Sequence, residues 1–226
     1  MRIKLVIATR KSEEDFYEKT ATGKSLAFNR PPILEIRLFP NNDRGLPAVY
    51  NQAIQESMGE SVTLIFAHDD LHILDFYWLY RIKEGLTHFD VIGAVGNKNR
   101  STNQSSWAFI DEKFTWDKTE NLSGIIGNGS GFPPSSLSIY GETRQKVKLL
   151  DGLLLAVENK TLIDHHLFFD ERFMFHFYDL DFCRQAEQKN ISCGTWDLSL
   201  IHESSGSCVS DSWKISYQQY IDKWGN

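Results

Sequence analysis

The sequence lacks the features that would assign it to several protein classes at once. Its 226 residues include three cysteines and six prolines, and no apolar run reaches the ~18 residues of a membrane-spanning helix. The odd cysteine count and the absence of CxxC spacing predict free thiols rather than a disulfide framework or a zinc site. We therefore expect a protein of a reducing, cytoplasmic compartment with no membrane span.

Positive charge is also scarce. The chain has 24 lysines and arginines against 30 aspartates and glutamates, which gives a formal charge of −6. No basic stripe is visible, and nucleic-acid-binding domains normally carry one, so we expect no nucleic-acid partner. Hydrophobic residues make up 41% of the chain and aromatic residues 13%. A chain of this composition and length can bury a core without disulfides or a structural metal.

Short apolar runs alternate with helical patterns. The runs that predict buried strands are 3–8, 33–39, 61–67, 90–96, 147–157 and 191–196. One helix is predicted to open at Gly45-Leu46-Pro47 and to run to about Ser57. A second follows an N-cap at Asp75, with Phe76 on its core face, and a third runs from Asp179 to Gln188. This alternation predicts a single α/β domain over 1–226, with a mainly parallel central sheet flanked by helices.

Two segments interrupt that pattern. Residues 12–24 are a polar stretch, and residues 97–143 are rich in Gly, Ser, Asn and Pro. The second segment is predicted to be an irregular insert in the domain, since a long stretch of this kind is usually functional or mobile.

Polar side chains follow the predicted strands at the place where α/β sheets bind ligands. Thr9 and Arg10 follow the first strand, and His68, Asp69 and Asp70 follow the run at 61–67. Ligands of such sheets bind outside the carboxyl ends of the strands. Carboxylate oxygens there suit Mg²⁺ or Mn²⁺ that carries a nucleotide diphosphate. The alternative is that one of the two carboxylates merely caps the next turn.

A second acidic pair lies between an aromatic-rich stretch and a predicted helix. Asp179 and Asp181 follow residues 173–178. A carboxylate beside aromatic surface loses solvation, which raises its pKa and makes it a better base. Alternatively, Asp179 is the helix N-cap and Asp181 a favourable charge in the first turn. His176 is equally well interpreted as a core histidine or as a contact of an acceptor molecule.

Four motifs occur in a fixed order along the chain. They are His68-Asp69-Asp70 after a strand, Asp151-Gly152 before an apolar run, the block at 169–181, and Ile201-His202-Glu203. Together they resemble the glycosyltransferase family 2 group, which has the A-type nucleotide-sugar fold, over about residues 3–207. The aromatic-His-x-Tyr-Asp block at 175–179 is most similar to small glycosyltransferase-like domains.

The resemblance implies roles for individual residues. Asp70 matches the last aspartate of the family's DxD motif, which binds the divalent cation, and His202 resembles the late metal-binding histidine. Asp179 matches the general base. Donor-binding positions implied by the resemblance are Thr9, Arg10, Asn51, His68 and Asp69, with His68 in place of the first DxD aspartate. Acceptor-side positions are Asp151, Gly152, His176 and Tyr178, with Tyr178 in place of the family's glutamate.

The implied function is an inverting, metal-dependent sugar transfer. A nucleotide-diphosphate sugar, with a UDP-sugar favoured, would be the donor, and a glycan or other hydroxyl compound the acceptor. The implied cofactor is Mn²⁺ or Mg²⁺. Trp107, Trp116 and Phe132 are candidates for stacking on sugar rings, with local packing as the alternative. Two other functions stay open: a non-catalytic nucleotide-sugar or glycan-binding module on the same fold, and a metal-dependent phosphohydrolase that uses residues 68–70 with His202.

Overall fold

A computed structural model describes residues 2–203 and 210–225. Cys183 and Cys193 are buried free thiols, as predicted, and Cys208 lies outside the described residues. The strands are β1 (Arg2–Ala8), β2 (Leu34–Phe39), β3 (Val62–Ala67), β4 (Leu71–Ile73), β5 (Val91–Gly93), β6 (Val95–Asn97), β7 (Leu122–Asn128), β8 (Ser136–Gly141), β9 (Lys146–Val147), β10 (Leu149–Leu150), β11 (Leu154–Glu158), β12 (Cys193–Thr195) and β13 (Leu200–His202). The helices are α1 (Glu13–Lys19), α2 (Ala21–Asn29), α3 (Leu46–Glu56), α4 (Trp78–Gly85), α5 (Asn159–Asp164), α6 (Tyr178–Gln188) and α7 (Asp211–Trp224). None of the helices in these ranges is both long and apolar enough to cross a membrane.

The central sheet has seven strands in the order β2-β1-β3-β11-β5-β12-β9. Strand β1 pairs parallel with β2 and β3, as the α/β pattern predicts. Strand β11 runs antiparallel to both β3 and β5, so the sheet is mixed rather than mainly parallel. Strand β11 enters the central sheet directly from β10 of the second sheet, after three residues, and not through a crossover helix of the kind that joins parallel strands.

A second sheet contains part of the segment that the sequence predicts to be irregular. Its order is β10-β6-β7-β13-β4, and β8 pairs with β7. Thus 97–143 contributes β7 and β8, and the prediction of an irregular insert is wrong for 122–128 and 136–141. The glycines in this segment allow close backbone approach: a Cβ on Gly124 would lie 2.3 Å from the carbonyl oxygen of Ala94. Glycine in a strand interior often marks such contacts rather than a loop.

Two apolar runs prove to be divided between the sheets. The run at 90–96 forms β5 in the central sheet and β6 in the second, and the run at 147–157 forms β9, β10 and β11. Strands β5, β6, β10 and β11 are mostly buried. The chain therefore stays apolar where it passes from one sheet to the other. For this reason the sequence pattern predicts one strand where the structure has two or more.

Local capping explains two further differences from the sequence-based prediction. The polar stretch at 12–24 forms most of α1 and α2, because the Ser12 and Thr20 side chains accept hydrogen bonds from backbone N–H groups of the first turns. Helix α4 begins later than predicted, at Trp78, with Tyr77 at its N-cap position. Phe76 precedes the helix and is 73% exposed, so its predicted place on the core face is wrong.

The C-terminal helix is joined to α6 through a buried charge. The Asp181 carboxylate, on α6, is fully buried and lies 2.6 Å from Lys223 Nζ, while Trp224 Nε1 donates to it at 2.8 Å. Burial raises the pKa of Asp181, although Lys223 opposes that change. The lysine thus compensates a carboxylate that would otherwise be isolated from water.

We expect Lys223→Met to lower the free energy of unfolding by ~3–5 kcal/mol, since it removes one partner of a buried ion pair. Lys214→Met is the matched control on the same helix, because Lys214 and its partner Asp211 are both largely exposed. The control should change stability by less than about 0.5 kcal/mol. Chemical denaturation monitored by tryptophan fluorescence measures both. Equal losses in the two variants would contradict a stabilising role for this ion pair.

Candidate active site

The carboxyl ends of β1 and β3 bring the first group of predicted residues together. Because these strands are parallel neighbours, Thr9 and Asp69 meet, and the Thr9 hydroxyl donates to Asp69 Oδ2 at 2.5 Å. Arg10 is exposed beside them, and among the described residues its side chain has no hydrogen-bond partner. This edge therefore presents a fixed carboxylate and an accessible guanidinium.

A possible metal site lies next to this edge. Ligand atoms of His68, Asp70 and His202 all lie within 4.8 Å of one another. Strand β13 brings His202 to the end of β3, since it pairs with β4 directly after Asp70. His202 Nε2 is 3.2 Å from Asp70 Oδ2, and His68 Nδ1 is 3.8 Å from Asp70 Oδ1.

The donor atoms of this cluster fit a divalent cation. Asp70 Oδ1 is buried and has no hydrogen-bond partner among the described residues, and a buried acceptor without a partner is costly unless it binds something. Burial would raise the pKa of Asp70, but the hydrogen bond from His202 and the nearby His68 lower it. The carboxylate is therefore ionised at neutral pH and available as a ligand.

The hydrogen bonds of His68 determine which of its ring nitrogens can bind a metal. The Tyr178 hydroxyl donates to the Gly152 carbonyl at 2.8 Å and lies 2.9 Å from His68 Nε2. Since its proton is used on Gly152, Tyr178 accepts from His68 Nε2, and the lone pair of His68 is on Nδ1, toward Asp70. Burial lowers the pKa of His68, which favours this neutral form. Positions 68 and 178, the two departures from the family motifs, thus contact each other.

Tyr178→Phe tests this arrangement. The variant loses the acceptor for His68 Nε2 and the donor to Gly152, so Nδ1 is no longer held as the free nitrogen. We expect Mn²⁺ affinity to fall by roughly 10–100-fold, the usual effect of removing a partner that orients a ligand. Isothermal titration with Mn²⁺ measures it, with the exposed Tyr77→Phe as control. Unchanged Mn²⁺ affinity in Tyr178→Phe would show that the hydroxyl does not orient His68.

Two carboxylates form the other half of the site. Asp179 lies in the first turn of α6, and its Oδ2 accepts from the Gly152 N–H at 2.9 Å. Asp151 precedes β11, and its Oδ2 accepts from Trp107 Nε1 at 2.6 Å. Burial first, and then the charge of Asp151, raise the pKa of Asp179 to about 7. A carboxylate with this pKa can accept a proton near neutral pH and release it again.

The backbone around Asp179 has an unusual conformation and a close packing contact at Gly152. Asp179 is not the helix N-cap: that position is Phe177, a buried residue with a left-handed φ of 66°. Such a conformation is costly for a bulky residue and is concentrated at functional sites. A Cβ on Gly152 would lie 2.3 Å from Tyr178 Oη and 2.9 Å from Asp179 Cβ. Glycine at 152 therefore permits Tyr178 and Asp179 to approach and hydrogen-bond to its backbone.

Aromatic side chains lie on both sides of the site. Phe175 is about half exposed and stacks on the His68 ring at 5.9 Å, with the half-buried His176 beside it. On the Asp151 side, Trp107 is buried and packs against Tyr140 at 4.8 Å, and Tyr140 stacks on Trp116, which is 55% exposed. Sequence analysis missed Phe175 because nothing in the aromatic block marks which ring faces the metal cluster.

Asn51 lies apart from this group. It is buried on α3, where its amide nitrogen donates to Phe169 O at 2.8 Å and to Glu171 Oε1 at 3.2 Å. Its amide oxygen accepts from the Phe169 N–H at 2.9 Å. Both amide hydrogens and the oxygen thus connect α3 to the 169–171 segment, and the donor contact predicted for Asn51 has no support from these bonds.

No protein-family model and no curated protein sequence matches the chain. Among solved structures, GalNAc-T7 with UDP, GalNAc and Mn²⁺ superposes with a TM-score of 0.57 at 10% identity, over 99% of this chain and 48% of that one. S. aureus TarS 1–349 in complex with UDP-GlcNAc gives 0.52 at 16% identity, over 92% and 60% of the two chains.

The chain has an A-type glycosyltransferase-like fold. The resemblance inferred from the motifs is thereby confirmed at the level of the fold. The chain spans less than two thirds of the length of the TarS and GalNAc-T7 structures. At identities of 10–16% the similarity establishes the fold, and the chemistry rests on the residues of the site.

Proposed function

We propose that this A-type glycosyltransferase-like domain is an inverting, metal-dependent glycosyltransferase. It would transfer a sugar from a nucleotide-diphosphate sugar, with a UDP-sugar favoured, to a hydroxyl of a glycan or similar acceptor. One observation carries the proposal: a possible metal cluster and a carboxylate with a pKa of about 7 are joined through Tyr178 and Gly152. A cation site beside a potential base is what a direct displacement at a sugar diphosphate needs.

The metal ligands in this proposal are Asp70, His202 and His68. A divalent cation held there supplies charge neutralisation for the departing diphosphate. Two imidazoles and one carboxylate favour Mn²⁺ over Mg²⁺, because Mg²⁺ prefers an all-oxygen set. GalNAc-T7, the neighbour solved with UDP and Mn²⁺, supports this choice.

Asp179 is the proposed base. Its carboxylate takes the proton of the acceptor hydroxyl while that oxygen attacks the anomeric carbon from the side opposite the diphosphate. The new bond joins the acceptor oxygen to the sugar, and the bond from the sugar to the diphosphate oxygen breaks. Hydrogen bonds from Gly152 and Leu180 hold the Asp179 carboxylate in place. Trp107 holds Asp151 in place, and the negative charge of Asp151 helps to raise the pKa of Asp179.

Donor and acceptor approach from different sides in this arrangement. Thr9, Arg10 and Asp69 would contact the donor nucleotide and its phosphates, since an exposed guanidinium binds phosphate oxygens well. The acceptor would lie over Asp151 and Asp179. Trp116 and His176 are at the edges of that area, and an exposed indole offers a flat surface to the C–H face of a sugar.

Calorimetry with UDP provides the test of donor binding. UDP should release heat in the presence of Mn²⁺ and show no binding in EDTA, and GDP should bind more weakly. Equal UDP affinity in EDTA would contradict metal dependence. UDP binding without transfer or hydrolysis of any UDP-sugar would favour the non-catalytic binding module instead. Release of inorganic phosphate from simple phosphoesters would favour the phosphohydrolase.

A further inference from the structure

Four large aromatic side chains project into solvent from one region of the surface, away from the candidate site. Phe28, Phe76, Tyr77 and Tyr80 are each between 71% and 80% exposed. We call them the aromatic patch. Isolated exposed apolar residues are normal, but several large ones together usually mark an interaction surface.

Hydrogen bonds bring the two parts of the aromatic patch together. Trp78 Nε1, at the start of α4, donates to the carbonyl oxygen of Asn29, at the end of α2, at 3.0 Å. Phe28 precedes Asn29 and Tyr77 precedes Trp78, so the Trp78 indole links the two segments that carry these rings. Tyr80 is three residues after Tyr77 and therefore shares its helix face.

The charges around the aromatic patch are opposite in sign to the charge of the whole chain. Residues 20–34 contain no acidic residue but include Lys24 and Arg30, both exposed. Lys24 lies one helical turn before Phe28, on the same face of α2. Lys83 is exposed three residues after Tyr80. The chain as a whole carries −6, so these cations form a local exception.

The acidic residue within the patch does not offset them. Asp75 is the single carboxylate of residues 71–83, and its side chain is 9% exposed because it is paired with Arg81. That pair is neutral. Glu84, exposed and adjacent to Lys83, offsets that lysine, so Lys24 and Arg30, in a segment without carboxylates, supply the net positive charge near the exposed rings.

We propose that the aromatic patch attaches the protein peripherally to an anionic membrane surface. Tyrosines prefer the level of the lipid headgroups, phenylalanines partition below it, and lysine and arginine are attracted to anionic lipids. The exposed rings of the aromatic patch thus suit the headgroup and apolar levels of a membrane, and the nearby cations suit its anionic surface. Docking of a protein on the same rings is the alternative, and the vesicle and light-scattering experiments below distinguish it from membrane attachment.

The attachment also orients the candidate site. Helix α2 begins under the metal cluster, where the Thr22 hydroxyl donates to the carbonyl oxygen of His68 at 2.8 Å. Its other end carries Phe28. A membrane bound at the patch therefore lies one short helix away from the site. The proposal concerns attachment alone and does not depend on whether the domain is catalytic.

Co-sedimentation with lipid vesicles tests the apolar part of the proposal. The protein should sediment with vesicles of phosphatidylcholine mixed with phosphatidylglycerol, and much less with phosphatidylcholine alone. Combining Phe28→Ser, Phe76→Ser and Tyr80→Ser should weaken binding by roughly tenfold or more, as buried apolar area is lost. The matched control combines Phe132→Ser with Ile139→Ser, which are 79% and 68% exposed outside the patch. The control should bind like the unsubstituted protein.

A charge variant tests the electrostatic part. Combining Lys24→Gln, Arg30→Gln and Lys83→Gln should weaken binding to the anionic vesicles by roughly 10²-fold, given the usual contribution of each cation near such a surface. Raising the salt concentration should have a similar effect. Failure of the unsubstituted protein to bind anionic vesicles overturns the proposal. So does unchanged binding by the aromatic variant, or a dimer in light scattering that this variant dissociates while no vesicle binding is seen.

Discussion

Replacing Asp179 by asparagine is expected to reduce sugar transfer by ~10²–10⁴-fold, because an amide cannot accept the proton of the acceptor hydroxyl. The substitution is nearly isosteric, and the amide oxygen can still accept the Gly152 N–H. UDP binding in the presence of Mn²⁺ should therefore stay within a few-fold of its original value. Transfer assayed with radiolabelled UDP-sugars, alongside calorimetry with UDP, separates the two effects.

The pH dependence gives the same prediction a second measurement. Asp179 must be ionised to act as the base, so the transfer rate should rise with pH and level off above about 7, the raised pKa of Asp179. An Asp179→Asn variant with transfer activity near that of the unsubstituted protein would refute the proposed mechanism.

Stability should respond in the opposite direction to activity. The pKa of Asp179 is higher in the folded state than the ~3.9 of an unfolded chain, so the protonated form favours folding. That contribution is complete below pH ~4 and is lost as the pH rises through about 7. Asparagine does not titrate. As the pH rises, the unsubstituted protein should therefore lose stability relative to Asp179→Asn. If Asp179 acted chiefly as a helix cap, Asp179→Asn would be less stable than the unsubstituted protein at every pH.

The sequence predicts which residues of the candidate site lie close together better than it predicts how the strands divide between the two sheets. His68, Asp69 and Asp70 directly follow a buried run, and the strand-end rule alone indicates that they face ligand. The approach of Thr9 to Asp69 then follows from parallel pairing of β1 and β3. Both inferences follow from the local sequence pattern and from the rule that ligands bind at the carboxyl ends of parallel strands. The division of 90–96 and 147–157 between two sheets needs knowledge of packing, since burial is equally complete on both sides of each break.

Contacts between distant side chains account for the rest. Sequence motifs suggest that His68 and Tyr178 differ from a family pattern, but their contact joins residues 110 positions apart. No local periodicity reports it. Asn51 shows the opposite case: its position in a motif suggests a ligand contact, whereas its hydrogen bonds are directed to Phe169 and Glu171. A position in a motif thus indicates that a side chain makes a specific contact, but it does not identify the residue or ligand that is contacted.

Removing the Asp70 carboxylate is expected to abolish most metal-dependent donor binding. Asp70 lies between His68 and His202, and its Oδ1 is the buried acceptor that has no partner among the described residues. Loss of a residue that merely orients a ligand weakens metal affinity by up to roughly 100-fold. We expect Asp70→Ala to lose at least that much for Mn²⁺, and UDP affinity in the presence of Mn²⁺ to fall to its level in EDTA.

Two further variants make this result specific. Asp70→Asn keeps an oxygen ligand but removes the charge, and it should bind Mn²⁺ with an affinity between those of the unsubstituted protein and Asp70→Ala. Asp164→Ala removes a carboxylate from the surface, where Lys160 is its partner, and should leave Mn²⁺ and UDP binding unchanged. Loss of the carboxylate also removes the hydrogen bond that raises the pKa of His202 against the effect of burial, so that imidazole should titrate at lower pH in Asp70→Ala. Nuclear magnetic resonance of the histidine ring protons measures that change in the absence of metal. If Asp70→Ala binds UDP in an Mn²⁺-dependent way with unchanged affinity, the cation site is elsewhere in the protein.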